Sequence, residues 1–150
     1  MKRKSVRIYS FTGTGSRLAL NLAEKLKQEG YVCTGYTVAR FAEDKRLQRL
    51  NDGWKQEIGA SWGEHALVFI GAAGIAIRAI APFVKDKFTD PPVIVLDEKG
   101  TFAIPLLSGH VGGGVTLAKV LAEYTGGRAV ITTATDVQKK FAADVFAMEN

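Results

Sequence analysis

Four short stretches rich in glycine and hydroxyl side chains are the parts of the sequence best suited to bind a polar ligand. They are residues 12–16 (TGTGS), 71–74 (GAAG), 108–114 (SGHVGGG) and 132–136 (TTATD). Each follows an apolar run typical of a strand, and open α/β sheets bind ligands beyond the carboxyl ends of their strands. We therefore predict that the four turns converge on one edge of a sheet, where backbone N–H groups, helix N-termini and hydroxyls face an anionic ligand.

A structural role explains each turn about equally well when the turn is taken alone. Glycine permits tight turns, and Ser, Thr and Asp are common helix caps. The coincidence of four such turns favours the binding hypothesis. For Asp136 we favour capping of a helix over ligand contact. The candidate substrate-binding residues in the turns are Thr14, Gly15, Ser16, Gly71, Gly74, Ser108, Gly109, Gly112, Gly113, Thr133 and Asp136.

His110 is the candidate catalytic residue, because glycines on both sides of it leave room for a ligand to approach its imidazole. An imidazole titrates near neutral pH and can act as a general base or a hydrogen-bond donor. The alternative is a histidine that caps a helix or turn. We expect Thr14, Gly74, His110 and Thr133 to line one shared cleft. His65 stands at the amino end of a predicted strand in polar surroundings, and we interpret it as a surface histidine away from that cleft.

Arg78 is a further candidate for binding substrate carboxylates, because it lies in an otherwise apolar predicted helix that begins near Gly74. Structural ion pairing of its guanidinium is an equally good explanation. Lys85 follows about two helical turns later and would share its face. Pro82 argues against a continuous helix between Arg78 and Lys85, since proline cannot donate the hydrogen bond that the Arg78 carbonyl would accept. For Lys85 we favour a role on a solvated charged surface.

Several common classes of site do not fit the sequence. A Gly-x-Gly-x-x-Gly pattern begins at Gly13, but Leu18 stands at its third glycine position, so the dinucleotide fingerprint fails. No phosphate-binding loop ending in Gly-Lys-Ser or Gly-Lys-Thr occurs, and Leu106 stands where a nucleophile elbow around Ser108 needs glycine. Cys33 is the only cysteine, which excludes an intramolecular disulfide and a cysteine-based zinc cluster. We expect no metal site.

The net charge of +5 makes anionic partners plausible, but the basic residues are dispersed and no run of Lys and Arg resembles a nucleic-acid-binding arm. We therefore expect no nucleic acid partner. The longest mostly apolar stretch, residues 66–77, is well short of the roughly 20 apolar residues that span a bilayer, and the N-terminus lacks the features of a signal peptide. We expect a cytoplasmic protein with no membrane segment.

Apolar runs typical of strands alternate with helical patterns along the chain. The predicted strands cover residues 6–11, 31–38, 66–70, 93–96, 102–106 and 129–132. Three apolar stripes at helical spacing are formed by Leu18, Leu22 and Leu26, by Ile77, Ile80 and Val84, and by Leu117, Leu121 and Tyr124.

This alternation predicts one α/β domain over residues 1–150. We expect a mostly parallel open sheet, Rossmann-like, with helices on both faces and right-handed crossovers. Residues 97–100 (DEKG) join two predicted strands closely enough for a hairpin, which favours an antiparallel edge. The polar residues 43–61 are plausibly helical and form a weak candidate boundary.

With these residues located, the sequence resembles the cobalt-precorrin 5A hydrolase family, known as CbiG. The likeness rests on residues 69–87 (FIGAAGIAIRAIAPFVKDK), 95–100 (VLDEKG), 103–113 (AIPLLSGHVGG) and 131–136 (ITTATD). These strings are long and occur in the family's order, so a chance similarity to another α/β protein is improbable. Residues 1–60 resemble the family more loosely.

The resemblance implies a function that composition could not indicate. Members of the family hydrolyse the ring A lactone of cobalt-precorrin 5A and release acetaldehyde, which gives cobalt-precorrin 5B. The implied ligand is an anionic cobalt corrinoid; the cobalt is carried by this substrate, and no separate cofactor is implied. Lactone hydrolysis needs an activated water and donors for the developing oxyanion, roles that His110 and the amides of residues 112–114 could fill.

Family members usually continue well beyond the position that matches Asn150 into a C-terminal domain. We therefore expect a CbiG C-terminal domain or other cobalamin-pathway enzymes as partners. The alternative hypothesis, from another class of protein, is a non-catalytic domain that binds a corrinoid or tetrapyrrole and presents it to a partner. Activity alone separates the two hypotheses.

Overall fold

The computed structural model describes residues 4–109 and 112–134, and within them seven strands form one sheet. The strands are β1 (Ser5–Ser10), β2 (Val32–Thr37), β3 (Leu47–Arg49), β4 (Ala66–Ile70), β5 (Val93–Leu96), β6 (Phe102–Leu107) and β7 (Arg128–Ala129). The helices of the same residues are α1 (Gly13–Gln28), α2 (Trp54–Ala60), α3 (Ala73–Ile80) and α4 (Gly114–Thr125), with short 3₁₀ turns at Ala39–Phe41 and Ala81–Phe83. None of the helices described has the length and apolar character required to cross a membrane.

The sheet is mostly parallel, as predicted, with the strand order β3-β2-β1-β4-β5-β6-β7. β6 returns antiparallel to β5 through the predicted turn, in which the Gly100 N–H donates to the Asp97 carbonyl at 2.8 Å. Gly100 adopts φ +71°, a left-handed conformation that glycine accommodates without strain. β7 pairs with β6 in parallel, so the antiparallel hairpin lies one strand inside the edge.

The first face of the sheet is covered by α1 and α4. Ile8 from β1, Leu22 from α1 and Leu121 from α4 are fully buried in this layer. Leu18 and Tyr124, which belong to the predicted stripes of these helices, lie half-buried at its margin. Burial of each large apolar side chain contributes about 1.5–3 kcal/mol, so this layer holds the start of α1 firmly at the carboxyl ends of the parallel strands.

The opposite face is covered by α2 and α3. Phe69 from β4 is fully buried there, together with Ile58 from α2 and Ile80 from α3. The predicted stripe on the third helix is wrong except at Ile80, because Ile77 is 53% exposed and Val84 is 44% exposed. α3 instead buries two alanines beside Ile80, which lets the helix approach the sheet closely.

Pro82 ends α3. The helix stops at Ile80, and Pro82 lies in the 3₁₀ turn Ala81–Phe83. Proline has no N–H and its ring clashes with the preceding helical turn, so the helix does not continue past it. Lys85 therefore lies outside the helix that carries Arg78, and the prediction that the two side chains share one helix face is wrong.

Residues 43–61 do not form a single helix. They contain β3, which pairs in parallel with β2, followed by α2. Leu47 is the buried residue of β3, and a Cβ built on Gly35 would lie 2.6 Å from Leu47 Cδ2. Glycine at position 35 thus makes room for the side chain that anchors this short strand. At the other end of the sheet, β7 is shorter than the predicted strand 129–132.

Candidate functional site

The four predicted turns divide between the two edges of the sheet. Leu107, the last residue of β6, stands opposite Val93, the first residue of β5, so the loop after β6 lies at the amino ends of the parallel strands. Residues 12–16 and 71–74 follow β1 and β4 and therefore lie at the carboxyl ends. Roughly 15–20 Å of strand separates the two edges. The prediction that all four turns converge on one edge is wrong.

At the carboxyl edge, the hydroxyl groups of residues 12–16 serve mainly to start α1. Thr12 Oγ1 accepts a hydrogen bond from the Gly15 N–H at 2.9 Å and donates one to Glu98 at 2.8 Å. Ser16 is buried, and its hydroxyl donates to the Thr12 carbonyl at 2.7 Å. Thr14 Oγ1 accepts from a guanidinium one turn further along the helix. Glu98 already supplies a negative charge beside the α1 N-terminus, so the capping interpretation fits this turn better.

The second turn at the carboxyl edge, residues 71–74, starts α3 without a side-chain cap, since the N-cap residue is Ala72. A Cβ built on Gly74 would lie 3.0 Å from Arg78 Nη1, so the guanidinium folds back over the first turn of the helix. Arg78 is exposed and forms no ion pair with a carboxylate of residues 4–109 or 112–134. The described residues therefore do not support structural ion pairing as its role.

Arg78 lines an open cavity of about 440 Å³ at the carboxyl edge, which we call the edge cavity. The apolar side chains of the edge cavity come from several elements and include Phe11, Val38, Leu50, Trp54 and Ile75. Lys55 and Arg78 supply its cations. An apolar wall with a few convergent charges is typical of a small-molecule site.

A second cavity, of about 380 Å³, lies over the sheet between β1, β2, β3 and α2, and we call it the face cavity. Its polar side chains include Arg7, Tyr36, Gln48, Arg49 and Glu57. Leu50, Asn51 and Trp54 line both cavities, so the two are adjacent, and we call the pair the groove. α2 has only seven residues, which leaves this part of the sheet open beside it.

Strand register aligns aromatic side chains beneath the groove. Tyr36, Tyr9 and Phe69 stand at one level of β2, β1 and β4. Tyr9 stacks on Tyr36 with ring centroids 5.2 Å apart and on Phe69 with centroids 5.1 Å apart, while Trp54 lies 5.7 Å from Tyr9. Burial raises the pKa of Tyr9 to about 12 although the Arg7 guanidinium acts in the opposite direction. The Tyr9 hydroxyl therefore stays protonated and can donate a hydrogen bond.

The groove carries an excess of positive charge. Its charged lining side chains are Arg7, Arg49, Lys55, Arg78, Asp52 and Glu57. None of the four cations forms an ion pair with a carboxylate in the part of the chain that the structure describes. Arg7 lies 5.9 Å from the centroid of the Tyr36 ring, and Lys55 lies 5.6 Å from the centroid of the Trp54 ring. Both cations therefore form cation–π contacts. The arrangement can bind a ligand that combines carboxylates with a flat unsaturated surface.

The other two predicted turns meet at the amino edge. A Cβ built on Gly109 would lie 3.3 Å from Thr133 Oγ1, so these residues are neighbours. Gly112 and Gly113 line a separate cavity of about 280 Å³ together with Ser5 from the start of β1. The structure thus brings Gly109, Gly112, Gly113 and Thr133 to one edge, away from Thr14, Gly74 and Arg78 at the other.

Two polar groups at the amino edge that could bind a ligand instead form hydrogen bonds within the protein. Ser108 is buried with φ +54°, and its hydroxyl donates to the Asp90 carbonyl at 2.8 Å. The Gly114 N–H donates to the Ser108 carbonyl at 3.1 Å, which removes this amide from the predicted oxyanion donors. The predictions for His110 and Asp136 fall on positions that lie outside the described residues.

His65 also lies at the amino edge. It is half-buried, and its Nδ1 lies 2.6 Å from Ser5 Oγ, which ties the start of β1 to the segment before β4. Burial, together with the charge of Arg7, lowers the pKa of His65, so the ring is neutral near pH 7. Among the described residues it belongs to no group of three or more His, Cys, Asp or Glu side chains that could hold a metal ion. The interpretation of His65 as a surface histidine away from the predicted cleft is not confirmed, because the loop that begins at Ser108 lies at the same edge and the ring is half-buried.

Sequence reasoning missed Arg7, Arg49 and Trp54 as groove residues. A signal was available for Arg7, because the alternation that points Val6 and Ile8 to one face of β1 points Arg7 and Tyr9 to the other. Arginine on the inner face of a central strand is unusual and merits a functional explanation. Arg49 and Trp54 lie in the stretch for which no strand was predicted, so their placement could not be foreseen.

Comparison with known proteins identifies the region of strongest similarity. Residues 58–136, more than half of the chain, match the protein-family model described as Cobalamin synthesis G N-terminal. The matched range contains α3, the antiparallel hairpin and α4.

Individual proteins extend the similarity to almost the whole chain. A cobalt-precorrin-5A hydrolase from Salmonella typhimurium is 39% identical over 99% of this chain, and one from Priestia megaterium is 32% identical over 97%. The chain spans 41% and 39% of the lengths of these two relatives. A crystal structure of a cobalamin biosynthesis protein G homolog from Sulfolobus solfataricus superposes with a TM-score of 0.66 at 26% identity, covering 85% of this chain and 36% of that one.

Proposed function

The chain belongs to the Cobalamin synthesis G N-terminal family, and from this membership we propose that it takes part in the hydrolysis of the ring A lactone of cobalt-precorrin 5A. The reaction opens the lactone with water and releases acetaldehyde, which gives cobalt-precorrin 5B. The observation that carries the proposal is 39% identity over 99% of the chain to a cobalt-precorrin-5A hydrolase. Because the chain spans 41% of that relative, we assign the activity to a protein of the relatives' length and a binding role to these residues.

The chemistry of the groove supports a substrate of this kind. A corrinoid at this stage carries many carboxylates around a flat conjugated ring. The edge cavity offers Trp54 and Phe11 to the ring and Lys55 and Arg78 to the carboxylates. Cations beside aromatic surfaces suit such a ligand better than either feature alone would. We propose that cobalt arrives with the substrate and that no resident cofactor is needed.

The hydrolytic step requires a group that activates water and donors for the oxyanion. His110 remains our candidate for the base, and the Gly112 and Gly113 amides remain candidate donors. These glycines lie at the amino edge, whereas the groove opens toward the carboxyl edge. Binding of the corrinoid in the groove and its hydrolysis at the amino edge are therefore two separate proposals. Each has its own test.

A chimera tests the proposed function. This chain replaces the matching part of the Salmonella typhimurium relative, and the product is incubated with cobalt-precorrin 5A, with acetaldehyde and the corrinoid mass as readouts. We expect acetaldehyde release and the mass change that accompanies loss of a two-carbon fragment. The unaltered Salmonella protein is the positive control. A chimera that folds, judged by circular dichroism, but releases no acetaldehyde would contradict the proposal.

A further inference from the structure

The face cavity is chemically distinct from the edge cavity beside it. Arg7 and Arg49 bring two guanidinium groups to its lining, against one carboxylate, Glu57. That carboxylate is engaged, since Glu57 Oε1 accepts a hydrogen bond from Asn51 Nδ2 at 2.9 Å. Within residues 4–109 and 112–134 neither arginine pairs with a carboxylate. The cavity thus presents two guanidinium groups against one carboxylate, an excess of positive charge.

The surroundings of Arg7 hold its guanidinium in place. It is half-buried on the inner face of β1 and lies 5.9 Å from the ring centroid of Tyr36. Tyr36 is itself stacked on the buried Tyr9 with 12° between the ring planes. A cation fixed over a stacked aromatic pair loses little conformational freedom when it binds an anion. Arg49 is the exposed last residue of β3 and also lines the cavity.

The two cavities are neighbours on either side of shared residues. Trp54 lines both of them, as do Leu50 and Asn51. A ligand large enough to cover Trp54 would therefore contact both cavities. Their volumes, about 440 and 380 Å³, fall in the usual range for small-molecule sites.

We propose that the face cavity is a subsite for the carboxylate side chains of the corrinoid, with Arg7 and Arg49 as the residues that recognise them. The ligand class rests on the proposed function; the place of the subsite rests on the geometry of the cavity. A guanidinium binds both oxygens of a carboxylate through parallel charged hydrogen bonds, whereas an amide offers one oxygen and no charge. The subsite therefore makes the protein selective for a corrinoid whose side chains are still free acids.

A comparison of two ligands with two variants tests the subsite in the 150-residue chain. The ligands are cobyrinic acid, whose side chains end in carboxylates, and its amidated counterpart cobyric acid, titrated by the change in corrin absorbance at fixed ionic strength. Relative to wild type, we expect Arg7→Ala with Arg49→Ala to weaken cobyrinic acid binding about tenfold or more, and cobyric acid binding less than about threefold. Arg49→Ala alone, at an exposed position, should give part of the effect without disturbing the fold.

The matched control removes the same charge elsewhere. Lys119 on α4 and Arg128 on β7 are exposed, on the other face and at the far end of the sheet. Lys119→Ala with Arg128→Ala should leave the affinity for cobyrinic acid within about twofold of wild type. Equal losses of cobyrinic acid affinity in the two double variants would show that overall charge is responsible. Equal losses of affinity for the two ligands would show that the arginines contact the ring. Either result overturns the subsite. Wild-type protein that does not prefer cobyrinic acid also overturns it, while acetaldehyde release by the chimera would leave the proposed function intact.

Discussion

The indole of Trp62 donates a hydrogen bond to the carboxylate of Asp90 at 2.9 Å. The same carboxylate accepts the backbone N–H of Lys85 at 2.9 Å and that of Asp86 at 3.1 Å, and the Asp90 carbonyl accepts the Ser108 hydroxyl. Asp90 is 5% exposed. One buried acid thus joins the end of α2, the segment after Pro82 and the loop that follows β6.

Replacing Asp90 should destabilise the protein more than a surface substitution would. Asp90→Ala leaves the Trp62 indole and two backbone N–H groups without their acceptor, and hydrogen bonds to charged groups contribute roughly 1.5–3 kcal/mol each before relaxation. We expect a loss of about 2–4 kcal/mol in the free energy of unfolding at pH 7, measured by urea denaturation. Asp86→Ala, at an exposed position, is the control and should change stability by less than about 1 kcal/mol.

The contribution of Asp90 should depend on pH. Burial raises the pKa of its carboxyl, but the hydrogen bonds from Trp62, Lys85 and Asp86 outweigh burial and hold the pKa below its ordinary value. A carboxyl with a lowered pKa in the folded state stabilises the protein above its unfolded pKa, about 3.9, and this contribution disappears as the pH falls through the folded pKa. The stability difference between wild type and Asp90→Asn should therefore shrink below about pH 4. A difference that stays constant from pH 7 to pH 3 would contradict this account.

Most of the fold could be predicted from local patterns. Residues 66–70 and 93–96 are continuous apolar runs, the pattern typical of parallel strands that are buried on both faces. Both strands have the predicted bounds. Leu22 and Leu121 mark helix faces that are buried. β3 escaped prediction because Leu47 is its one buried residue, and its place in the sheet depends on the gap at Gly35, a tertiary feature that no local pattern carries.

The candidate site could be predicted only in part, and the decisive signal was already in the turn from Asp97 to Gly100. A hairpin reverses β6, so the loop beginning at Ser108 has to start at the amino edge, away from Gly74. Treating every post-strand turn as equivalent overlooked that reversal. The groove itself joins β1, β2, β3 and α2, and such a convergence depends on strand order, which the sequence pattern does not determine.

Gly127 should tolerate no side chain. A Cβ at this position would lie 2.2 Å from the Gly100 carbonyl oxygen and 2.6 Å from that of Thr101, and backbone atoms cannot move aside as a side chain can. We expect Gly127→Ala to lower the free energy of unfolding by about 1–3 kcal/mol and the melting temperature by roughly 2–4 °C for each kcal/mol. Gly53→Ala is the matched control, because the nearest atom to its Cβ is 3.6 Å away. Equal melting temperatures for the two variants would refute the packing argument.

Arg78→Ala should weaken corrinoid binding without affecting folding. The side chain is exposed at the rim of the edge cavity, so its interaction with a carboxylate is screened by salt. We expect about a three- to tenfold loss of affinity for cobyrinic acid at low ionic strength, a smaller loss at high ionic strength, and a melting temperature close to that of wild type. Lys119→Ala removes one charge from α4 and should bind as wild type does. Unchanged affinity in Arg78→Ala would leave this arginine as a solvated surface residue.

His110→Ala separates catalysis from binding. If the imidazole activates water for lactone opening, the variant chimera should bind corrinoid normally and release acetaldehyde about 100-fold or more slowly, the usual scale of general-base catalysis. The assay uses the chimera because binding and turnover must be measured in one protein.

His65→Ala in the same chimera is the matched histidine control. His65 lies at the same amino edge as Gly112 and Gly113, and its partner Ser5 lines a cavity with them, so it controls for the loss of an imidazole from that edge. Because Ser5 already engages the Nδ1 atom of His65, we expect its removal to leave the rate within a few-fold of the parent chimera. A slow His110→Ala beside a normal His65→Ala assigns water activation to position 110. A normal rate in His110→Ala would show that His110 is not the base, and the Gly112 and Gly113 amides would remain the candidate anion donors of this loop.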